Sequence, residues 1–448
     1  MYDLIIIGGG PGGYGAALLG SKKGLSVLLI EENRIGGVCL NRGCIPAKSY
    51  ISMVKSYGKI LSLRKLGIFS GDNLSLNWEK ARLQKRKVVD TLVSSVEKSI
   101  KKQGGDIVYG SGKLLSPGVV EAGSEVFEGK NVVIATGSIP FIPAKWGDLL
   151  TGEGVLDLEK LPEKVVIIGG GIIGVETAFW MNGFGVEVEV VEMMPVLLPQ
   201  TDIHISKILE REFKKRKIKF HLSSPVEDIK RIEGGFVVIT PESKIETEDV
   251  IVALGRRPST GWEGKCIDKD KEGWIEVDEF WRTSMPGHFA IGDVTGKGML
   301  AHTAYFGAEQ VVKIITGAEA VPYDPYVVPR VVFTEPEIAW VGRRKVDLER
   351  EGINFGRANF QMRWTGRALA EGEISGKVIV YYEKESRKLL GFHVAGSGSG
   401  EFIHVCQMAL AEGLSVNKFE KVIASHPTFF EAVKEAVSSI DGWNIHGG

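Results

Sequence analysis

The feature that most limits what this chain can fold into is an internal duplication. The stretch YDLIIIGGGPGGYGAALLGSKKGLSVLLIEE near the N-terminus is repeated in pattern by EKVVIIGGGIIGVETAFWMNGFGVEVEVVEM. Gly8, Gly10 and Gly13 fall on Gly169, Gly171 and Gly174, Gly24 falls on Gly185, and Glu31 falls on Glu192, at a constant offset of 161. Each copy opens with an apolar run (Leu4 to Ile7; Val165 to Ile168) that reads as a strand buried on both faces. Three glycines follow, spaced for a tight turn, a close backbone approach to a pyrophosphate and close helix–strand packing. The helix beyond them offers free N–H groups to phosphate. A second apolar run ends in an acid, Glu31 or Glu192, placed to accept from ribose hydroxyls. One such loop is weak evidence; strand, loop, helix, strand and acid at matching offsets, twice, predict two dinucleotide sites.

Glu192 also bears on the choice of dinucleotide. A carboxylate there accepts from a ribose 2′-hydroxyl and repels a 2′-phosphate, and Met193 and Met194 supply no arginine to hold one. NAD is therefore expected over NADP at the second site. Two dinucleotides in one chain suggest an electron relay, a nicotinamide exchanging hydride and a flavin communicating with something else. A thiol pair a few residues beyond Glu31, in GGVCLNRGCIPAK at 36–48, places the flavin in the first unit.

Three readings of Cys39 and Cys44 compete. A metal half-site needs further ligands at matching spacing, and Cys266 and Cys406 stand far apart without close partners. A structural disulfide suits a secreted framework, and four cysteines in 448 residues point instead to a reducing cytosol. A redox pair fits spacing and neighbours: Gly43 and Pro46 permit the break in helix that a small disulfide loop needs. A helix N-terminus and Lys48 would favour a thiolate.

The totals exclude several classes. Length alone suggests two to four domains. A net charge of −1 supplies no field for nucleic acid or an anionic membrane. The basic runs Arg82 to Lys87 and Lys214 to Lys219 read as solvated helix faces, and the apolar stripe from Val88 to Ile100 as core. Trp262, Trp281 and Trp364 read as packing residues. MYDLIIIGGG reads as a buried strand rather than a signal peptide, and VVIIGGGIIGV is too short to span a bilayer. The chain is expected in the cytoplasm, with neither nucleic acid nor membrane as partner.

The segment GGVCLNRGCIPAK resembles the active-site stretch of the flavoprotein pyridine nucleotide-disulfide oxidoreductases, most of all the lipoamide dehydrogenases. ATGSIP at 135–140, ALGRRPST at 253–260, AIGDVTGKGMLAHTA at 290–304, VVFTEPEIAWVG at 331–342 and SHPTFFEA at 425–432 resemble further motifs of that family, in order along the whole chain. The resemblance implies FAD and NAD as cofactors, and a homodimer that oxidises dihydrolipoyl groups carried by a protein of a 2-oxo acid dehydrogenase or glycine cleavage complex. It implies that Cys39, nearer the surface, exchanges with substrate and that Cys44 faces the flavin beside Lys48, with Glu176 as partner to Lys48. It implies His426 as base, oriented by Glu431 and supplied by the partner subunit. Gly112, Thr136, Gly137, Asp293 and Ala301 are implied at the flavin nucleotide, and Val226 and Gly255 at NAD. Read from the residues alone, His426 is a loop histidine before proline, and Thr428-x-x-Glu431 is a helix capping box.

The expected architecture is α/β, with two Rossmann-like domains and a C-terminal α+β dimerisation domain. The FAD domain is discontinuous (1–145 and 268–322), the NAD domain (146–267) is inserted in it, and the dimerisation domain follows (323–448), with alternating apolar residues at Val378 to Tyr382. The chain departs from the usual pattern at Ala47, at Tyr305-Phe306-Gly307 and at Ala424-Ser425. The rival readings are another NAD-linked disulfide reductase of the same fold, or a flavin-bearing scaffold without turnover.

Overall fold

The structure, a computed structural model, describes residues 1–70, 74–261 and 267–447, so Trp262 and Cys266 lie outside the described residues. Both glycine units fold as parallel β-α-β. Strand Tyr2–Ile7 lies parallel to Val27–Glu31, with Ile7 opposite Ile30, and helix Pro11–Lys22 makes the crossover. Strand Lys164–Ile168 lies parallel to Glu187–Val191, with Ile168 opposite Val191, across helix Ile172–Gly183. The aliphatic runs are buried throughout because helices or a meander cover both faces of each parallel sheet.

Five strands of the first sheet run parallel, in the order Asp106–Tyr109, Val27–Glu31, Tyr2–Ile7, the end of Glu125–Ile134, and His288–Ala290. The last strand comes from beyond the second glycine unit and sets Ala290 opposite Ile134. The second sheet is also parallel, ordered Lys219–His221, Glu187–Val191, Lys164–Ile168, Asp249–Val252, Leu150–Thr151. Where the chain passes between the two sheets, Ser138–Pro140 pairs antiparallel with Arg256–Pro258. The C-terminal sheet is antiparallel, ordered Arg330–Val332, Ile338–Gly342, Leu389–Ala395, Lys377–Glu383, Phe355–Gln361.

Strand Lys377–Glu383 corrects a detail. Its alternation does not separate core from solvent, because Val378 to Tyr381 are all buried. Val378 and Val380 enter the core under the C-terminal helices, whereas Ile379 and Tyr381 join the core of the second nucleotide unit. The period of two sorts residues between two cores. In helix Trp78–Lys102, Val89, Val93 and Ile100 are buried as expected. Lys85 departs from the solvated face: it is buried, and its ammonium pairs with Asp157. Trp281 is fully buried, and Trp364 sits edge-on to Phe360 at 5.1 Å.

One contact between the units decides where the thiols sit. Helix Cys44–Lys65 packs on helix Ile172–Gly183 so closely that a Cβ on Gly183 would lie 2.2 Å from Val54 Cγ1. An aromatic block locks the pair: Trp78 stacks parallel on Trp180 at 5.9 Å, and Tyr50 lies 5.1 Å from Trp180. The Tyr50 hydroxyl donates to the Leu156 carbonyl at 3.1 Å, so the block leaves that polar group satisfied.

Candidate active site

The two glycine loops share one geometry, with a different physical task at each glycine. Gly8 and Gly169 turn the chain at φ of +101° and +107°. A Cβ on Gly13 would lie 1.7 Å from the Gly8 carbonyl oxygen, and one on Gly174 would lie 1.9 Å from that of Gly169. Only glycine lets these helices lie so close to the turn. The middle glycines face open space instead: a Cβ on Gly10 would meet nothing nearer than Gly37 Cα at 3.9 Å, and one on Gly171 nothing nearer than Gln200 Nε2 at 3.8 Å. Side chains there would fill the space a pyrophosphate needs at the helix N-terminus.

The two acids close the same loops. Glu31 accepts from the Gly9 N–H at 2.6 Å and the Asn33 N–H at 2.9 Å; Glu192 accepts from Gly170 at 2.6 Å and Met194 at 2.7 Å. A carboxylate has about four acceptor positions, so each keeps capacity for ribose hydroxyls. The residues present fit a dinucleotide in each unit.

The other nucleotide candidates have mixed surroundings, some packed and some open. Gly112 follows Gly110, whose N–H donates to the Glu31 carbonyl at 2.9 Å, and the space of a side chain on Gly112 is taken by Ile7 and Ile30. Gly137 and Gly255 have φ of +74° and +103°, with open space at both Cβ positions. The Thr136 hydroxyl donates to the Ser259 carbonyl at 2.9 Å. Ala301 opens helix Ala301–Ile315, and half-buried Val226 packs against the core of the second sheet.

The thiols lie either side of a helix break. Cys39 belongs to the short helix Gly37–Arg42; Gly43, at φ −145° and ψ −109°, interrupts it, and Cys44 begins helix Cys44–Lys65. A helix N-terminus and Lys48 one turn on both favour a thiolate at Cys44. The hydrogen bond from the Cys39 thiol brings Cys44 down to about 7, with Lys48 adding to the effect, whereas that same bond and burial push Cys39 up. By surface area Cys44 is exposed and Cys39 half-buried, yet Cys44 has more protein packed around it than Cys39, so the two thiols are not ranked by depth. Cys406 is fully buried in the C-terminal core, far up from its ordinary range through burial, and forms no part of the site.

Lys48 and Glu176 meet as the resemblance implied. Lys48 Nζ donates to Glu176 Oε2 at 2.7 Å and lies 4.7 Å from the centre of the Phe333 ring. Burial opposes the charge on Lys48, and Glu176 and the thiols outweigh it, so its affinity for the proton rises. The sequence offered no sign that Glu176 Oε1 would also accept from the Phe333 N–H, at 2.9 Å. This one carboxylate therefore joins the redox helix, the second nucleotide unit and the C-terminal domain. A network around Arg256 was equally hidden in the sequence. Its guanidinium donates to the Ser138 hydroxyl at 2.6 Å, the Ser138 carbonyl at 2.7 Å and Glu153 at 2.6 Å, and Ser138 donates to Asp293 at 2.7 Å. The available sign was the Arg-Arg pair in ALGRRPST, whose partners only the strand pairing brings near. At the departure noted above, the Tyr305 hydroxyl meets that of Tyr14, and burial raises both phenols.

His426 Nδ1 lies 2.8 Å from Glu431 Oε1, and a carboxylate only accepts, so Nδ1 carries the hydrogen and Nε2 is left to take a proton. Half of the expected capping box is present, since Glu431 Oε2 accepts from the Thr428 N–H at 2.8 Å. The helix, however, begins at Glu431, and the Thr428 hydroxyl turns to the Ser425 carbonyl. The His426 side chain is 71% exposed. Among the described residues its ion pairs and hydrogen bonds reach Glu431 and not the thiols of its own chain.

Two dinucleotide cradles with a thiol pair between them define a nucleotide-linked disulfide oxidoreductase. The chain belongs to the pyridine nucleotide-disulphide oxidoreductase family, whose profile matches residues 2–308, followed by the family's dimerisation domain at 328–437. Among its relatives, the mitochondrial dihydrolipoyl dehydrogenase of Dictyostelium discoideum is 34% identical, covering 99% of this chain and 95% of that protein. The dihydrolipoyl dehydrogenase of Vibrio cholerae is 33% identical, over 98% and 96%. The fold is also that of LpdA from Mycobacterium tuberculosis, with a TM-score of 0.90 at 23% identity over 98% of this chain and 99% of that one. The HOCl-induced flavoprotein disulfide reductase RclA from Escherichia coli shares it, with a TM-score of 0.86 at 23% identity over the same shares.

Proposed function

We propose that this chain is a dihydrolipoyl dehydrogenase that works as a homodimer, with FAD at the Gly8–Gly13 cradle and NAD at the Gly169–Gly174 cradle. The observation that carries the reading is the break at Gly43, which sets an acidified Cys44 at a helix N-terminus beside Cys39 and Lys48, between two nucleotide cradles. FAD held by the Gly8–Gly13 loop and Glu31 would supply a two-electron acceptor, and NAD held by the Gly169–Gly174 loop and Glu192 would supply the hydride acceptor. The protein does the rest. His426 Nε2 of one subunit removes a proton from the substrate dithiol lying at Cys39 of the other, and the resulting thiolate attacks Cys39 Sγ. The Cys39–Cys44 bond breaks, and Cys44 leaves as a thiolate held by Lys48 and the helix N-terminus. The second substrate sulfur then attacks the first and passes its own proton to Cys39 as that sulfur leaves, so the products are a cyclic disulfide and a reduced pair with Cys39 as thiol, Cys44 as thiolate and the first proton held on His426. Glu431 keeps His426 in the tautomer this needs.

The domain division that suits this chemistry is 1–145 with 268–322 for FAD, 146–267 for NAD and 323–448 for dimerisation; the return of His288–Ala290 to the first sheet supports it. Glu192 favours NAD over NADP. The substrate is a lipoyl-bearing protein of a 2-oxo acid dehydrogenase or glycine cleavage complex, in the cytoplasm. Among the described residues no helix is long and apolar enough to cross a membrane. The test is NAD reduction by dihydrolipoamide with purified yellow protein. If NADH produces a long-wavelength thiolate–flavin absorbance while dihydrolipoamide gives no turnover, the enzyme serves another disulfide. If neither occurs, the flavin-bearing scaffold is the better reading.

A further inference from the structure

A second cleft, of about 570 Å³, lies away from the thiols and both glycine loops. One wall is helix Ile203–Lys215, which presents His204, Lys207, Arg211 and Lys214 at three- and four-residue spacing on a single face. The facing wall belongs to the C-terminal sheet, where Gln361 and Lys377 are directly paired across neighbouring strands and Arg363 follows in the next turn. Five cations therefore line the cleft against a single carboxylate, Glu210. Glu210 is bonded to Lys207 at 2.7 Å and does not answer the others. Among the described residues Arg211, Arg363 and Lys377 have no carboxylate within ion-pair distance. A sixth cation, Arg357, stands at the edge and donates to His204 Nε2 at 2.8 Å.

In a chain of net charge −1, this is a concentrated field that only Glu210 and Asp202 offset. Its effect is visible on Lys377, whose ammonium burial disfavours and Arg357 and Arg211 disfavour further, with only Asp202 opposing them. The solvated-helix reading of the Lys214–Lys219 run fits Lys219 only in part, since it is exposed and pairs with Glu187 at 2.9 Å but lies in strand Lys219–His221. It does not explain why Lys214 shares a cleft with cations from another domain.

We propose that this cleft binds a compact oligophosphate anion, bridging the second nucleotide unit and the dimerisation domain. Cations converge from two opposed walls, which suits a ligand with negative charge on several sides. Guanidinium forks at Arg211 and Arg363 match phosphate oxygens, and Gln361 adds a neutral donor. A free nucleoside triphosphate and an inorganic chain present the same chemistry.

The experiment uses the FAD-loaded dimer with NAD saturating, so that both cradles are filled. Inorganic tripolyphosphate is titrated calorimetrically at fixed ionic strength, and ATP in a second arm to distinguish the two sources. One saturable site per chain is expected. Affinity should fall at least about tenfold in the double variant Arg211→Glu/Arg363→Glu, the loss of one charge-assisted hydrogen bond being enough for that. Both positions are exposed, and flavin content and circular dichroism check that the variant is folded. Heat that disappears once ionic strength is matched, or binding unchanged in the variant, overturns the proposal. So does binding of poly-glutamate without tripolyphosphate, which would make the cleft a seat for an acidic protein segment. The readout needs no dithiol turnover, so it stands or falls separately from the proposed activity.

Discussion

At Cys44 three influences act on one sulfur: the hydrogen bond from Cys39, the charge of Lys48 and the N-terminus of a 22-residue helix. All stabilise the thiolate, and burial opposes them. Replacing Lys48 with Met removes a cation, so the Cys44 pKa should rise from about 7 toward the ordinary thiol value of roughly 8.5. Thiolate ultraviolet absorbance of the reduced protein against pH would show it, and an unchanged titration would remove Lys48 from the account. In the wild type the thiolate is lost as pH falls through 7, because the folded environment depresses the pKa and protonation begins below it. The lysine and both cysteines were legible in the sequence. Their relative exposure was not, because it depends on which way the break at Gly43 turns the next helix.

Among the elements, the two glycine helices are the strictest. A methyl on Gly174 would lie 1.9 Å from a carbonyl oxygen of its own loop, a collision the backbone must move to relieve, at a cost of about 1–3 kcal/mol. Gly174→Ala should therefore weaken NAD roughly tenfold or more while FAD stays bound, as flavin absorbance and the KM for NAD would report. Gly13→Ala should do the reverse and strip the flavin. The helix pair that carries the thiols offers a subtler case. Gly183→Ala pushes a methyl into Val54, should lower stability by about 1–3 kcal/mol, and should be substantially rescued by Val54→Ala. Denaturant midpoints of the single and double variants decide it; additive losses would mean that the two residues do not share the space. The glycine roles could be read from spacing, since each follows from backbone geometry within one loop. The meeting of Gly183 with Val54 joins residues from different units, and no local pattern announces it.

For the whole molecule, His426 and the thiols are separate within one chain: His426 is largely exposed and, among the described residues, bonded to Glu431 alone. If the partner subunit supplies His426, neither Cys44→Ala nor His426→Ala dimers should turn over dihydrolipoamide at more than a trace, since general base catalysis alone is worth about 10²–10⁴-fold. Unfolding and remixing the two variants in equal amounts should restore about a quarter of wild-type activity, because half the dimers are hybrids and each hybrid holds one intact site. Continued inactivity of the mixture would place base and thiols in the same subunit. His426→Ala should still let NADH reduce bound FAD, since that half-reaction does not use the base.

The sequence by itself determined the paired glycine-loop units, the thiol pair, the acid that closes each loop and the reductase part preceding the dimerisation part. These are encoded in short runs whose periodicity and turn chemistry act within a few residues. The tertiary structure alone decided that Glu176 would serve Lys48 and Phe333 together, that Arg256 would clamp Ser138 and Glu153, and that Lys377 would face Arg211 across a cleft. Those contacts join residues up to 166 positions apart, as Arg211 and Lys377 are. Their energy depends on how domains pack, and a linear pattern does not carry that information.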